Sequence, residues 1–193
     1  RSEMPDVMVS ATINDRSGRT LTGQTLDAFF TSVSHYPILS FGLNCSFGVK
    51  ELRPFVEQLA EHCPVYISIY PNAGLPNEMG GYDEQPEFTA RYIKEMASER
   101  IINIAGGCCG TTPEHIRAIA LAVKDLPPRQ VPLPENHLVV SGLENVVVDK
   151  ATQNFINVGE RTNVAGSRKF ARLIGEKKYD EALSVARKQI ENG

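Results

Sequence analysis

Short apolar runs alternate with amphipathic stretches along the first part of the chain. The apolar runs are rich in β-branched residues and predict strands at 7–13, 37–43, 65–70 and 101–105. After each run, apolar residues recur at the three- and four-residue spacing of a buried helix face. The four helical stripes are Leu26, Phe29, Phe30 and Val33; Val49, Leu52, Val56 and Leu59; Tyr92, Ile93, Met96 and Ala97; and Ile116, Ile119, Ala120 and Val123.

Two prolines bear on where these helices begin. Thr112 followed by Pro113 predicts the start of the fourth helix, because threonine caps a helix well and proline suits its first turn. Pro54 falls within the second stripe. We expect it in or near the first turn of that helix, where a missing N–H is tolerated.

Repeated strand–helix units predict an α/β fold with a parallel sheet covered by helices. Both an open doubly wound sheet and a (βα)8 TIM-type barrel fit this pattern. The barrel is favoured because Cys45 and the pair Cys108 and Cys109 directly follow predicted strands, where barrels place their active residues. We therefore expect only the second half of a first barrel here, with roughly four earlier strands outside this chain.

The pattern changes after residue 124. Prolines crowd together without helical spacing, which predicts an interdomain linker over 125–150. A new strand is predicted at 154–158, followed by a loop and by helices at about 167–174 and 179–190. The predicted organisation is a first domain at 1–124, the linker, and the first βα unit of a second barrel at 151–193.

Composition excludes several classes of protein. The 193 residues are 41% hydrophobic and 22% charged, with a net charge of −3, as in ordinary globular domains. No basic tract interleaved with aromatics predicts a nucleic-acid partner, and no apolar run approaches the ~20 residues of a membrane span. The first residues lack the apolar stretch of a secretory signal, and we expect a reducing, cytoplasmic setting.

The run of glycines around Cys108 and Cys109 is the sharpest chemical signal. Glycines let the backbone turn tightly, and a helix that starts near Thr112 favours thiolate over thiol. Cys45 lies at an equivalent strand end, and three thiolates suit zinc. Three protein ligands leave a fourth position open. The three negative charges of the thiolates and the 2+ charge of zinc sum to −1. Such a centre suits a bound substrate thiol better than water, which predicts alkyl transfer to sulfur.

Plainer interpretations stay open at this point. The three cysteines could be small core residues or ligands of a structural zinc, although paired knuckle motifs are absent. Cys63, at the end of a helical stripe, is interpreted as a core residue. His115 is interpreted as a surface histidine near a helix cap, with a role beside the metal as the alternative. Asn72 is a turn residue or a group that reaches the metal or substrate.

Three motifs resemble the homocysteine-binding barrel of homocysteine S-methyltransferases. They lie at residues 41–45, 71–76 and 106–113. A fourth, at 158–167, resembles the opening of a pterin-binding barrel. The two kinds of motif in this order are similar to cobalamin-dependent methionine synthases, and the resemblance covers essentially the whole chain.

The resemblance implies roles for particular residues. It places zinc ligands at Cys45, Cys108 and Cys109, and it makes Asn72 a substrate-site residue that could occupy the fourth zinc position without homocysteine. It also implies folate contacts on the loop of the second barrel. The candidates for these contacts are Glu160, Asn163, Gly166, Ser167 and Arg168.

The implied reaction is the formation of methionine from homocysteine. The methyl group would come from 5-methyltetrahydrofolate through methylcobalamin, which a cobalamin-binding module of the same parent protein would carry. The nearest alternative is a cobalamin-independent methyltransferase that uses betaine or S-methylmethionine, against which the motif at 158–167 argues. An inactive fragment with a structural zinc site is the other alternative.

Overall fold

A computed structural model describes residues 5–134, 137–149, 151–156 and 158–192. Contacts between Cα atoms divide the chain into a unit at 1–147 and a unit at 148–193. The domain boundaries predicted from the sequence stay predictions. The strands are β1 (Val7–Ala11), β2 (Ile38–Gly48), β3 (Tyr66–Asn72), β4 (Ile104–Ala105), β5 (Leu138–Ser141) and β6 (Asn145–Val148). The helices are α1 (Leu26–Val33), α2 (Val49–His62), α3 (Pro86–Ser98), α4 (Pro113–Val123), α5 (Arg168–Gly175) and α6 (Tyr179–Glu191).

The first four strands form one parallel sheet in the order β1-β2-β3-β4. The predicted parallel α/β arrangement is therefore confirmed. Each strand pairs with the next one along the chain, whereas a doubly wound sheet reverses its strand order at a switch point. The sheet is consistent with part of a TIM-type barrel, in which sequential strands are neighbours throughout.

The core of this unit lies between the sheet and its helices. Phe41 and Leu43 of β2 and Ile67 and Ile69 of β3 alternate with small residues, glycine or serine, as the two-residue period of a strand requires. They pack in one cluster with the predicted stripes of the first three helices. Removing each such side chain from water contributes about 1.5–3 kcal/mol, so this packing fixes the ends of β2 and β3. The fourth predicted stripe is wrong in part, since Ile116 and Ala120 are exposed.

Two local predictions in this unit are wrong in detail. Pro54 lies beyond the first turn of α2, where it leaves the carbonyl of Lys50 without its helical donor. The fourth strand covers only Ile104–Ala105. Before it, the side chain of Asn103, and not a backbone carbonyl, pairs with β3. Its Oδ1 accepts from the N–H of Ile67 at 2.9 Å.

The segment predicted as a linker contains a β-hairpin formed by β5 and β6. The hairpin is fastened to the region of α1. The N–H of Thr25 donates to the carbonyl of Leu143 at 2.9 Å, and the hydroxyls of Ser32 and Ser141 lie 3.0 Å apart. Two β-branched runs, at 138–140 and 146–148, flank a turn that contains Gly142, which is a hairpin signal in the sequence.

In the unit at 148–193, the two predicted helices are confirmed as α5 and α6, with Ser167 as the N-cap of α5. The predicted strand at 154–158 is wrong for residues 154–156 and 158, and Asn157 lies outside the described residues. Its apolar residues Phe155 and Val158 are 89% and 92% exposed. Within the described part of this unit no second strand offers backbone partners, and a lone strand cannot satisfy its own N–H and C=O groups. Among the described residues, no helix is both long and apolar enough to cross a bilayer.

Candidate metal centre

Cys45 lies in a distorted stretch near the end of β2. The register with β3 shifts between Asn44 and Gly48, so that the residues between them leave the regular ladder. Cys45 and Ser46 both have left-handed backbones, with φ of 62° and 61°. Each such non-glycine residue costs roughly 1–2 kcal/mol, and conformations of this kind concentrate at functional sites.

The loop that carries the other two cysteines is held against the end of β3 by backbone hydrogen bonds. The N–H of Cys108 donates to the carbonyl of Pro71 at 2.7 Å, and the N–H of Ala73 donates to the carbonyl of Cys109 at 2.8 Å. Gly110 then closes the turn with φ of 77°, a value that favours glycine. Cys108 and Cys109 are therefore placed beside the distorted end of β2.

The three sulfur atoms form a compact triangle. Sγ of Cys109 lies 3.6 Å from Sγ of Cys45 and 3.9 Å from Sγ of Cys108, and all three lie within 4.8 Å of one another. Four ligands at the usual Zn–S length of about 2.3 Å in a tetrahedron would place neighbouring sulfurs ~3.8 Å apart. The spacing and the soft donor set therefore fit a zinc ion, with all three side chains half-buried.

The charges of the three cysteine thiolates favour a bound cation between them. The pKa of Cys45 is lowered, chiefly by a hydrogen bond from the backbone N–H of Ser46. Burial, together with the neighbouring sulfurs, raises the pKa of Cys108 to about 11. Three adjacent thiolates therefore repel one another in this pocket unless a positive ion lies between them.

Asn72 is buried at the end of β3 and contacts two of the cysteine positions. Its Oδ1 accepts from the N–H of Cys109 at 3.1 Å. A side-chain hydrogen bond from Asn72 also helps to lower the pKa of Cys45. Asn72 thus lies beside the cysteine loop, and its hydrogen bond joins the end of β3 to that loop.

A family model described as homocysteine S-methyltransferase matches residues 1–123. The chain belongs to this family. The matched segment runs from β1 to the end of α4 and contains the three clustered cysteines. Membership of this methyltransferase family supports methylation of homocysteine, a small-molecule substrate, and agrees with a metal site that can hold a thiol.

His115 in this methyltransferase domain is buried, with 5% of its surface exposed, so the sequence interpretation as a surface histidine is wrong. Its Nδ1 accepts from the N–H of Thr112 at 3.2 Å, and its Nε2 lies 2.9 Å from the carbonyl of Glu84. This pairing requires the proton on Nε2. The ring therefore joins the start of α4, next to the cysteine loop, to the loop before α3.

Tyr82 is the residue near the metal centre that the sequence analysis missed. Its ring lies against Gly110, where an added Cβ would come within 2.3 Å of the Cβ of Tyr82. Partial burial raises the pKa of the Tyr82 hydroxyl, and so does its proximity to the sulfur of Cys109. The only sequence signal is a tyrosine in a glycine-rich loop, which is a common surface pattern.

The residues predicted to contact folate lie in the second unit, outside the family match. Four of them are close together. The side chain of Asn163 donates to the carboxylate of Glu160, its backbone carbonyl accepts from Ser167 at 2.9 Å, and Gly166 adjoins both side chains. Arg168 is exposed as the first residue of α5.

Proposed function

We propose that this chain contributes to methionine formation of the cobalamin-dependent methionine synthase type, in the cytoplasm. Homocysteine would be the methyl acceptor, and 5-methyltetrahydrofolate the donor through methylcobalamin. The observation that carries the proposal is the triangle of Cys45, Cys108 and Cys109 in a homocysteine S-methyltransferase domain. The order of its motifs along the sequence supports the finer type.

In this proposal the three cysteines hold a zinc ion and leave one position for the substrate. A zinc ion bound there would keep the homocysteine thiol as a reactive thiolate at neutral pH. The protein orients the centre through Asn72, which contacts both Cys45 and Cys109, and through the backbone donors of the cysteine loop. Asn72 is also proposed to occupy the fourth position when substrate is absent.

The second unit is proposed to contact the folate. Glu160 and Asn163 place a carboxylate next to an amide on an exposed loop. Together they offer acceptor and donor atoms, which complement the amino and carbonyl groups of a pterin edge. Gly166 lies directly beside both side chains, and Ser167 and Arg168 lie at the start of α5, whose dipole favours anionic groups. The cobalamin-binding module would be a separate partner.

A donor assay tests the type of reaction. The zinc-loaded chain is incubated with homocysteine and with methylcobalamin, betaine or S-methylmethionine, and methionine is measured by mass spectrometry. We expect methionine from methylcobalamin alone, at a rate at least ~100-fold above the same mixture with the Cys109→Ser variant, because loss of a ligand removes the thiol-activating centre.

The other outcomes of this assay are informative. Methionine from betaine or S-methylmethionine, with none from methylcobalamin, would replace the proposal with a cobalamin-independent enzyme. Equal rates for the chain and its Cys109→Ser variant would contradict a role of the sulfur triangle in the reaction. The variant is the matched control, since it replaces one sulfur atom by oxygen and changes no other residue.

A further inference from the structure

A cleft of about 350 Å³ lies in the second unit, between the loop at 158–161, α5 and α6. Its cationic lining consists of Arg161 from the loop, Lys169 from α5 and Lys188 from α6. No acidic side chain lines the cleft, and among the described residues no ion pair engages any of these three cations. Three positive charges from separate elements therefore line one cleft without a counter-charge, which predicts an anionic ligand.

The loop is held against α6 by the side chain of Gln189. Its Oε1 accepts from the backbone N–H of Arg161 at 2.6 Å. An added Cβ at Gly159 would come within 2.7 Å of Cγ of Gln189, so glycine allows the loop to lie directly against this side chain. The backbone of Arg161 is thereby fixed beside the turn of α6 that carries Lys188, and the cleft is formed without a ligand.

The rest of the lining is apolar or carries amides. Val158 and Val185 supply an apolar wall, and Gln189 and Asn192 supply side-chain amides. A purely inorganic anion would leave the apolar wall unused, whereas an organic acid with an aromatic or aliphatic part would cover it. The lining therefore matches a ligand that combines an apolar part with several carboxylates.

The cleft adjoins the loop that is proposed to contact the pterin. Glu160 lies between Gly159 and Arg161 in the chain, and both of these neighbours line the cleft. Asn163 donates to the carboxylate of Glu160 on the same loop. A folate joins its pterin to a p-aminobenzoyl ring and then to one or more γ-linked glutamates, each of which adds a carboxylate. This tail has the apolar part and the negative charges that the lining of the cleft requires.

We propose that this cleft binds the p-aminobenzoyl-glutamate tail of the folate, with Arg161, Lys169 and Lys188 paired to its carboxylates. The inference rests on the proposed function, in which the neighbouring loop contacts the pterin. Each further γ-linked glutamate brings one more carboxylate to the three cations. A tail with several glutamates therefore binds more tightly than a tail with one.

Isothermal titration calorimetry of the full chain with probes that lack the pterin tests this inference. The long probe, p-aminobenzoyl-tetra-γ-glutamate, is compared with p-aminobenzoyl-glutamate, which has the same ring and fewer carboxylates. We expect the long probe to bind about tenfold more tightly at low salt, because a few exposed ion pairs together supply about this factor. Added salt should reduce the difference, since it screens exposed charges.

Arg161→Gln should weaken binding of the long probe about threefold, since one of the three exposed ion pairs is lost. Replacement of all three cations by glutamine should abolish the preference for the long probe. Arg187→Gln is the matched control, because it makes the same substitution at an exposed position of α6 that does not line the cleft. The inference is overturned if Arg161→Gln and Arg187→Gln bind the long probe equally, or if the unaltered chain binds both probes equally.

Inorganic tripolyphosphate is a further probe, with several negative charges and no apolar part. If it binds as tightly as the long probe, the cleft is a general anion site and its assignment to the folate tail is overturned.

The probes contain no pterin and require no zinc, so their binding is independent of the cysteine centre. This separates the inference from the proposed function. Selective binding of the long probe, with no methionine formed in the donor assay, would support the tail site and contradict the proposed methyl transfer. Methionine formation without selective binding would overturn the tail site alone.

Discussion

Replacing Cys109 by serine is expected to abolish stoichiometric zinc binding. Sγ of Cys109 lies 3.6 Å from Sγ of Cys45 and 3.9 Å from Sγ of Cys108. The substitution therefore removes the sulfur that contacts both of the others. Serine offers a hard hydroxyl that stays protonated at neutral pH and is a poor ligand for zinc. A full structural site is worth roughly 10–16 kcal/mol, so one ligand of the set corresponds to a loss on the order of a hundredfold or more in affinity.

The measurement is zinc per chain after dialysis against a weak chelator. We expect about one zinc in the unaltered chain and less than about a tenth in Cys109→Ser, as the loss of affinity above requires. Cys63→Ala is the control, because this thiol is fully buried in the core and has no place in the cluster. Zinc retained in Cys109→Ser, or lost equally in Cys63→Ala, would contradict a metal site built on the triangle.

The second large effect is expected at Arg129, which is 4% exposed. Its guanidinium donates to the carbonyls of Cys63 at 2.6 Å, of Val65 at 3.1 Å, and of Ala60 at 3.1 and 3.3 Å. The carbonyls of Ala60 and Cys63 lie at the C-terminal end of α2. Carbonyls at this end of a helix lack intrahelical donors, and the helix dipole is negative there. Arg129 thus caps α2 and joins it to the entrance of β3.

We expect Arg129→Met to lower the free energy of unfolding by about 3 kcal/mol. Methionine keeps most of the aliphatic volume but leaves one buried and two partly buried carbonyls without donors. Each fully buried carbonyl without a donor costs roughly 1–3 kcal/mol, and relaxation and entry of water reduce the cost of the others. Urea denaturation, followed by circular dichroism, measures the change. Arg117→Met, on the exposed face of α4, is the control and should shift stability by less than about 0.5 kcal/mol. Equal stability of the two variants would contradict a capping role for Arg129.

The strands and helices of the first unit could be predicted because burial there follows a regular period. The stripe of Val49, Leu52 and Val56 predicts α2 from side chains alone, and the buried pairing of β2 with β3 follows from the apolar runs. Details that depend on distant partners could not be predicted. Asn103 shortens β4 by pairing with β3, and Arg129 reaches α2 across the unit.

The candidate site also has features that the sequence predicts and features that it does not. Because parallel strands bring their carboxyl ends to one edge, the positions of Cys45, Cys108 and Cys109 in the sequence predict their proximity. The left-handed backbone at Cys45 leaves no sequence signal, since glycine is absent there. The burial of His115 and the position of Tyr82 depend on how the loop before α3 folds over the cysteine loop, and this requires contacts distant in the sequence.

X-ray absorption at the zinc edge tests the central claim most directly, with and without homocysteine. We expect three sulfur ligands at about 2.3 Å and one nitrogen or oxygen ligand in the zinc-loaded chain. Addition of homocysteine should replace the lighter ligand with a fourth sulfur, whereas homoserine, which carries oxygen in place of sulfur, should not. A spectrum with four sulfurs from the start, or one that homocysteine leaves unchanged, would contradict a centre that activates the substrate thiol.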